Sequence, residues 1–354
     1  MALQKTQFQV IDYAGTLYAC GRAYGEEFHE SINLGLDGDF KMKKIQWDFV
    51  KKCMAFPWRY KRELDALVEG IAAGSGRTYL DIARLFCEED FALGRLRNCT
   101  AVAATGEGTV DGKPIIGMNW DGMPSIYPWS RLVRFKAKGW PRMLTYSSRP
   151  GRFPDAGINE HGMSLVWTTA IWKIWRKPAP PITGVPTANL ITGILACKDC
   201  KEAVSLLRET PNAGGFVFLL ADARKNAWVV EGIPGKIDCI ECTDAVGRAN
   251  HLESPVLTRI TRQLVPRSTG ENNTQARAKR IWQLIGKHRG RISPAVVEAM
   301  LRDTGGRPGH TICRNRLGGD PCLTIDSFYL LPTQREFWIA RGLPTRHTFE
   351  RFKV

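Results

Sequence analysis

The chain has 354 residues, 44% hydrophobic and 24% charged, enough for one large core or two smaller ones. No apolar run reaches the roughly 18 residues of a membrane-spanning helix, no cationic start followed by an apolar signal core opens the chain, and ten cysteines without dense, regular spacing argue against a secreted disulfide scaffold. The net charge of +15 is unevenly divided, with 14 basic and 14 acidic side chains in residues 1–98 against 36 and 21 in residues 99–354. A cytoplasmic protein without metal or cofactor is expected, its basic portion suited to anionic small molecules or simply to solubility.

Helical apolar spacing over residues 25–34, 60–74 and 79–96 predicts a mostly helical leading segment, residues 1–98. The remainder, residues 99–354, reads as rich in strands. A hairpin is predicted from residues 100–105 and 114–119 across the Asp111-Gly112 turn. Tight closure at that turn sets Asp121 opposite Val102, and a slightly longer loop moves it toward Cys99. Further strands are predicted at 162–169, 217–220, 227–231, 322–331 and 336–340. Helices interrupt them at 187–209 and 274–287, and Ser293-Pro294 caps another that runs to Leu301. Residues 178–186 are proline-rich and read as a flap.

Two Cys-x-x-Cys pairs, Cys197/Cys200 and Cys239/Cys242, have zinc-ligand spacing, but one falls in a predicted helix and the other in a strand, so no metal is expected. His161, His251 and His310 lack ligand spacing. Lys173, Arg176 and Lys177 interleave with Trp172 and Trp175 without a nucleic-acid motif, and the aromatic stretch from Trp167 to Trp175 is a candidate lining for an apolar acyl group.

Cys99 carries the sharpest chemical signal. An internal cysteine that opens a strand becomes an N-terminal residue if the chain cleaves before it, and the freed α-amino group is then a base for its own thiol. Such an amine ordinarily titrates at about 7.7–8.0, suited to base catalysis at neutral pH, and no separate histidine is needed.

Cys99-Thr100 with Gly117-Met118-Asn119-Trp120-Asp121 resembles the N-terminal-nucleophile acyltransferase/hydrolase family typified by isopenicillin N acyltransferase, and more distantly the choloylglycine hydrolases. Gly21-Arg22-Ala23-Tyr24-Gly25 and the stretch from Glu69 to Gly76 resemble its propeptide motifs. Gly157-Ile158-Asn159-Glu160-His161-Gly162, Leu220-Ala221-Asp222-Ala223, Ala249-Asn250-His251 and Thr311-Ile312-Cys313-Arg314 follow in family order. The resemblance implies an α+β fold, a four-layer αββα sandwich of antiparallel sheets. It implies Cys99 as nucleophile, Asp121 as the residue that orients its amine, Asn250 as oxyanion donor and Arg314 as an arginine beside the nucleophile. Where the family has Gly before the nucleophile this chain has Asn98, so the cleavage site is Asn98-Cys99. Where choloylglycine hydrolases carry a strand asparagine, this chain reads Ser164 to Thr169, leaving Thr168 and Thr169 as oxyanion candidates and Trp167 as a substrate contact.

The resulting expectation is a self-processing cysteine amidohydrolase or acyltransferase acting on a small amide or acyl thioester, possibly an anionic one, with no nucleic-acid or membrane partner and with its two fragments remaining associated. The alternative is an uncleaved relative that only binds small molecules. Purified protein should separate under denaturing conditions into fragments of about 11 and 29 kDa, because processing is covalent. Cys99→Ala should stay a single chain; a wild type that stays intact after long incubation yet turns over substrate would refute the hidden-terminus mechanism.

Overall fold

The computed structural model describes residues 3–4, 8–38, 42–92, 98–152, 154–170, 183–261 and 270–354. Its leading segment opens with strand β1 (Val10–Gly15), which periodicity did not reveal, and continues through α1 (Leu17–Glu27), α2 (His29–Asp37), α3 (Lys44–Met54), α4 (Lys61–Ser75) and α5 (Tyr79–Ala92). The single helix predicted over 25–34 is two helices. Phe28, at φ −106° and ψ 16°, leaves helical geometry between them, and its ring packs 4.8 Å from that of Tyr24.

Helices α1 and α4 cross at glycines on both sides. A Cβ at Gly21 or Gly25 would overlap the carbonyl oxygens of Leu67 and Ile71, and one at Gly70 or Gly74 those of Tyr18 and Arg22. The family-like glycine motifs of the leading segment are therefore the contact that lets two backbones touch.

Strands β2 (Asn98–Gly106) and β3 (Gly112–Gly122) form the predicted hairpin. Its register differs from the tight-turn expectation, because five residues loop between Gly106 and Gly112 and the pairing shifts between Ala104 and Gly106. Val102 therefore faces Gly117, Cys99 faces Trp120, and Asp121 faces Asn98.

Next come β4 (Arg131–Ala137), β5 (Met143–Ser147), β6 (Ala156–Asn159), β7 (Ser164–Thr169), α6 (Thr187–Ala196) and α7 (Cys200–Glu209). The one helix predicted over 187–209 breaks because Asp199 caps α7, its carboxylate accepting the Glu202 N–H at 3.0 Å while the Cys200 N–H turns to Asp222 at 2.8 Å. Cys197 and Cys200 thus straddle a break. The chain ends with β8 (Phe216–Ala221), β9 (Ala227–Ile233), β10 (Lys236–Glu241), β11 (Ala245–Arg248), α8 (Pro255–Ile260), α9 (Gly270–His288), α10 (Pro294–Leu301), β12 (Leu323–Leu331), β13 (Glu336–Arg341) and β14 (Glu350–Lys353). Ser293 caps α10 with Pro294 in its first turn, as predicted.

Two sheets result, with strand orders β1-β4-β5-β6-β7-β8-β9-β10 and β11-β2-β3-β12-β13-β14. Among the described strands the pairings are antiparallel except β1 with β4, a departure from the expected antiparallel sandwich. Strands β2 and β3 pack on β7 and β8, while α6 and α7 cover the larger sheet and α9 and α10 the smaller, giving the α, β, β, α order of layers. Burial on both faces explains the unbroken apolar run of β8.

No described helix is long and apolar enough to cross a membrane. Among the described residues no group of three or more His, Cys, Asp or Glu could hold a metal.

The glycine crossing gives a test. Gly70→Ala should lower stability to urea by about 1–3 kcal/mol despite alanine's better helix propensity. Gly35→Ala, in α2 with nothing near the added Cβ, should be neutral or stabilising.

Candidate active site

The site is assembled where β2 begins. Strand alternation sends Cys99, Ala101 and Ala103 into the core between the sheets with Met118 and Trp120, and sends Val102 and Ala104 into the core under α9 and α10 with Ile115 and Ile281. Cys99 is buried on the first face. Asp121 lies two residues beyond Asn119, whose side-chain amide donates to the carbonyls of Leu301 and Ile312 at 2.9 and 3.0 Å, so the carboxylate belongs to the second face. The backbone of Cys99 pairs with Trp120, and that of Asn98 with Asp121.

Asn250, just past β11, receives that nitrogen. Its Oδ1 accepts the Cys99 N–H at 2.7 Å and an Arg277 N–H at 2.9 Å, and its Nδ2 donates to the Thr169 carbonyl at 3.1 Å. Two obligatory donors on one side and an obligatory acceptor on the other fix the amide's orientation. Thr169 extends the chain of contacts through its hydroxyl to Glu89 of α5 at 3.4 Å. Thr168 donates to the Ala249 carbonyl at 2.6 Å, securing the residue before Asn250.

Arg277 is the residue that sequence reasoning missed. Fully buried, it donates from Nε to Asn273 at 2.7 Å, from Nη1 to the Cys99 carbonyl and to Thr100 Oγ1 at 2.8 Å, and from Nη2 to Asn250. Thr274, on the same helix, accepts the Asn250 N–H at 2.7 Å and contacts His251 Nδ1 at 3.0 Å. A signal was present. Arg277 adjoins the buried stripe Ala278, Ile281 and Ile285, a place where a charged side chain must find partners inside the protein.

Asp121 Oδ1 accepts the Thr324 hydroxyl at 2.7 Å, whereas its buried Oδ2 has no hydrogen-bond partner among the described residues. Burial pushes this carboxyl up to about 7, against the opposing pull of Arg314, Arg277 and the Thr324 hydroxyl. Burial likewise draws Arg277 down to about 10, leaving it charged at neutral pH, and His251 down to about 4, leaving it neutral. Arg314 is buried and bound by both carboxylate oxygens of Asp320, at 2.8 Å on one arm. Its charge pulls the Asp121 carboxyl downward.

Trp167 is buried between the sheets, edge-on to Trp120 and Phe218 at 6.1 Å from each. Lys173, Arg176, Lys177, Trp172 and Trp175 lie outside the described residues, as do 178–182 of the expected flap; of Asn98 only the backbone pairing with Asp121 is described. The Asn159 and Asp222 motifs are turns. Asn159 Oδ1 accepts the N–H groups of His161 and Met163, and Asp222 Oδ1 those of Arg224 and Asn226.

A family model described as acyl-coenzyme A:6-aminopenicillanic acid acyl-transferase matches residues 108–345. No curated protein matches in sequence. Among solved structures, a variant of the conjugated bile acid hydrolase from Clostridium perfringens is similar at 12% identity and TM-score 0.45, over 72% of this chain and 97% of that one. An N-acylethanolamine-hydrolyzing acid amidase ortholog from Caenorhabditis elegans aligns at 14% identity and TM-score 0.46, over 66% and 93%. Penicillin V acylase from Agrobacterium tumefaciens aligns at 13% identity and TM-score 0.43, over 69% and 83%.

The carboxyl at the site has a measurable signature. Its folded value of about 7 lies above the unfolded value near 3.9, so the folded state binds the extra proton between them, and this contribution to stability is full below about pH 4 and lost as pH rises through 7. In an uncleavable Cys99→Ala background, Asp121→Asn should therefore gain more stability over its parent at pH 8 than at pH 4, by more than about 1 kcal/mol. Asp90 and Asp326, also raised to about 7 by burial, cancel in that difference. A gain independent of pH would show that Asp121 does not titrate in this way.

Proposed function

Because this chain belongs to the acyl-coenzyme A:6-aminopenicillanic acid acyl-transferase family, whose members transfer or hydrolyse acyl groups, we propose that it is a self-processing N-terminal-nucleophile enzyme cut between Asn98 and Cys99. The observation that carries this reading is the Cys99 nitrogen held by Asn250, one register step from Asp121, whose buried Oδ2 has no hydrogen-bond partner among the described residues. An orphaned carboxylate oxygen costs free energy unless a donor arrives, and cleavage supplies one by converting the Cys99 peptide nitrogen into an amine. Family membership also favours an enzyme over an uncleaved binding protein.

In maturation the Cys99 sulfur, giving up its proton, attacks the Asn98 carbonyl carbon. The peptide C–N bond breaks with protonation of nitrogen, leaving a thioester and a free amine. Water then displaces the thiol and leaves a carboxylate on Asn98. In turnover the Cys99 amine takes the thiol proton, the thiolate attacks a substrate amide or thioester carbonyl, and the leaving group departs with that proton. The acyl-enzyme passes to water or to an amine acceptor. Asn250 spends one amide hydrogen on Thr169 and has a second for the developing oxyanion. Thr168 and Thr169 serve by fixing Asn250, Trp167 by lining the core beneath the thiol, and Arg314 by its charge on Asp121.

The fragments stay associated after the cut. What supports this is that contacts cross it: β1 pairs with β4, Glu89 meets the buried Arg152 at 3.0 Å, and Asp90 accepts the Thr187 N–H at 3.1 Å. A small anionic amide or acyl thioester is the proposed substrate, favoured by the excess of basic side chains in residues 99–354 and by a hollow of about 310 Å³ on α9 where Lys279, Arg307 and His310 join Arg280, itself paired with Asp303.

The test is a panel of N-acyl amino acids, neutral N-acyl amides and acyl thioesters given to processed enzyme at low and high salt, with and without an amine. Rates on the anionic members should fall as salt rises. Preference for neutral amides without a salt effect would remove the anionic substrate, and an acyl-amine product would identify a transferase. Asn250→Ala should cut kcat about 10²-fold with a smaller change in KM; an effect on KM alone would make Asn250 a substrate-positioning residue.

A further inference from the structure

We propose that the hollow between α9 and the loop at residues 303–310 is a binding site for a phosphate group carried by a small molecule. It stands apart from Cys99 and does not depend on cleavage before that residue.

Two walls form the hollow. Helix α9 supplies Lys279, Arg280 and Gln283 from one face, and the loop after α10 supplies Gly305, Arg307 and His310. Asp303 binds Arg280 through Nε at 2.9 Å and through Nη2 at 2.7 Å, which leaves Nη1 for a ligand. Gly305 lets the loop backbone lie against that guanidinium, because a Cβ there would overlap Nη2. On the loop side, His310 Nδ1 lies 3.1 Å from the Pro308 carbonyl oxygen, which can only accept. In the neutral ring the proton therefore sits on Nδ1, and Nε2 faces an Arg307 N–H at 3.5 Å.

Charge and size select the ligand. Arg280 is offset by Asp303, whereas Lys279 and Arg307 have no carboxylate partner among the described residues. Like charges in one hollow repel each other. A phosphate monoester, with a charge of about −1.5 to −2 at pH 7 and three acceptor oxygens, cancels both and offers oxygens to both walls. A carboxylate brings one charge and two oxygens in one plane. The volume of about 310 Å³ lies at the small end of ligand sites, and no Phe, Tyr or Trp lines it to stack a base, which argues against a nucleic-acid strand.

The position gives such a ligand leverage. Arg280 follows Arg277 by about one turn of α9, and His310 comes four residues before Arg314. A phosphate held by both walls braces two segments whose buried side chains, Arg277 and Arg314, belong to the site.

The probe is inorganic phosphate, titrated by calorimetry into the uncleavable Cys99→Ala protein at constant ionic strength. One saturable site per chain is expected, with acetate at least about tenfold weaker. Arg307→Ala and Lys279→Ala should each weaken phosphate at least about tenfold, the equivalent of one charge-assisted hydrogen bond. Both side chains are exposed, so their removal leaves the core intact. Lys287→Ala, at an exposed position of the same helix outside the hollow, should leave binding unchanged. No saturable binding, equal binding of acetate, or an equal loss in the Lys287 variant would overturn the proposal. Turnover by processed enzyme then identifies where the phosphate comes from. If it is part of the substrate, inorganic phosphate competes with a phosphorylated acyl thioester and leaves a neutral N-acyl amide untouched; if it belongs to a separate ligand, phosphate changes the rate on the neutral amide as well. Either result supports the site, and phosphate that binds but alters neither reaction is an adventitious ion only and overturns it. Because binding is read in uncleavable protein, failure of the self-processing reading and failure of this one are seen separately.

Discussion

One amide side chain, that of Asn250, joins the parts of this molecule that have to meet. Its oxygen is shared between the first strand of the hairpin and helix α9, and its nitrogen is tied to the end of β7 in the opposite sheet. Each of these bonds is buried, and hydrogen bonds involving a charged partner are worth about 1.5–3 kcal/mol apiece, with a larger cost when one partner is removed. The position of α9 against β2 and β11 is thereby coupled to the position of the Cys99 nitrogen.

The two faces of β2 divide the labour. The thiol belongs to the dry core between the sheets, beside Trp120 and Trp167, while Asp121, Thr100 and Arg277 belong to the helix-covered face. The Cys99 nitrogen is tied to the second face through Asn250, which Arg277 also holds.

The leading segment is built into this frame. Its glycine-faced helices pack backbone to backbone, its first strand joins the larger sheet, and α5 carries Glu89 and Asp90 into buried contacts with Arg152, Thr169 and Thr187. Arg152 is itself clamped between Glu89 and Asp155, so removal of the segment would strand a buried cation. A cut at Asn98-Cys99 would then change the chemistry of one bond while leaving the packing on either side in place.

The sequence by itself determined the helices with clear periodicity, such as α4, α9 and the Ser293-capped α10, the presence of the β2–β3 hairpin, and the family to which the chain belongs, because these depend on local spacing and on short residue patterns. Strand β1, the breaks at Phe28 and Asp199, and the hairpin register were decided by tertiary structure: a parallel partner far along the chain, a ring packed on Tyr24, a carboxylate from Asp222 and a five-residue loop outweigh local propensity. The same holds at the site. Arg314, which the motif marked, is a buried ion pair with Asp320, and Arg277, which no motif marked, is a buried fork on Asn250, because only the fold determines which charged side chains are removed from water and what they must then bind.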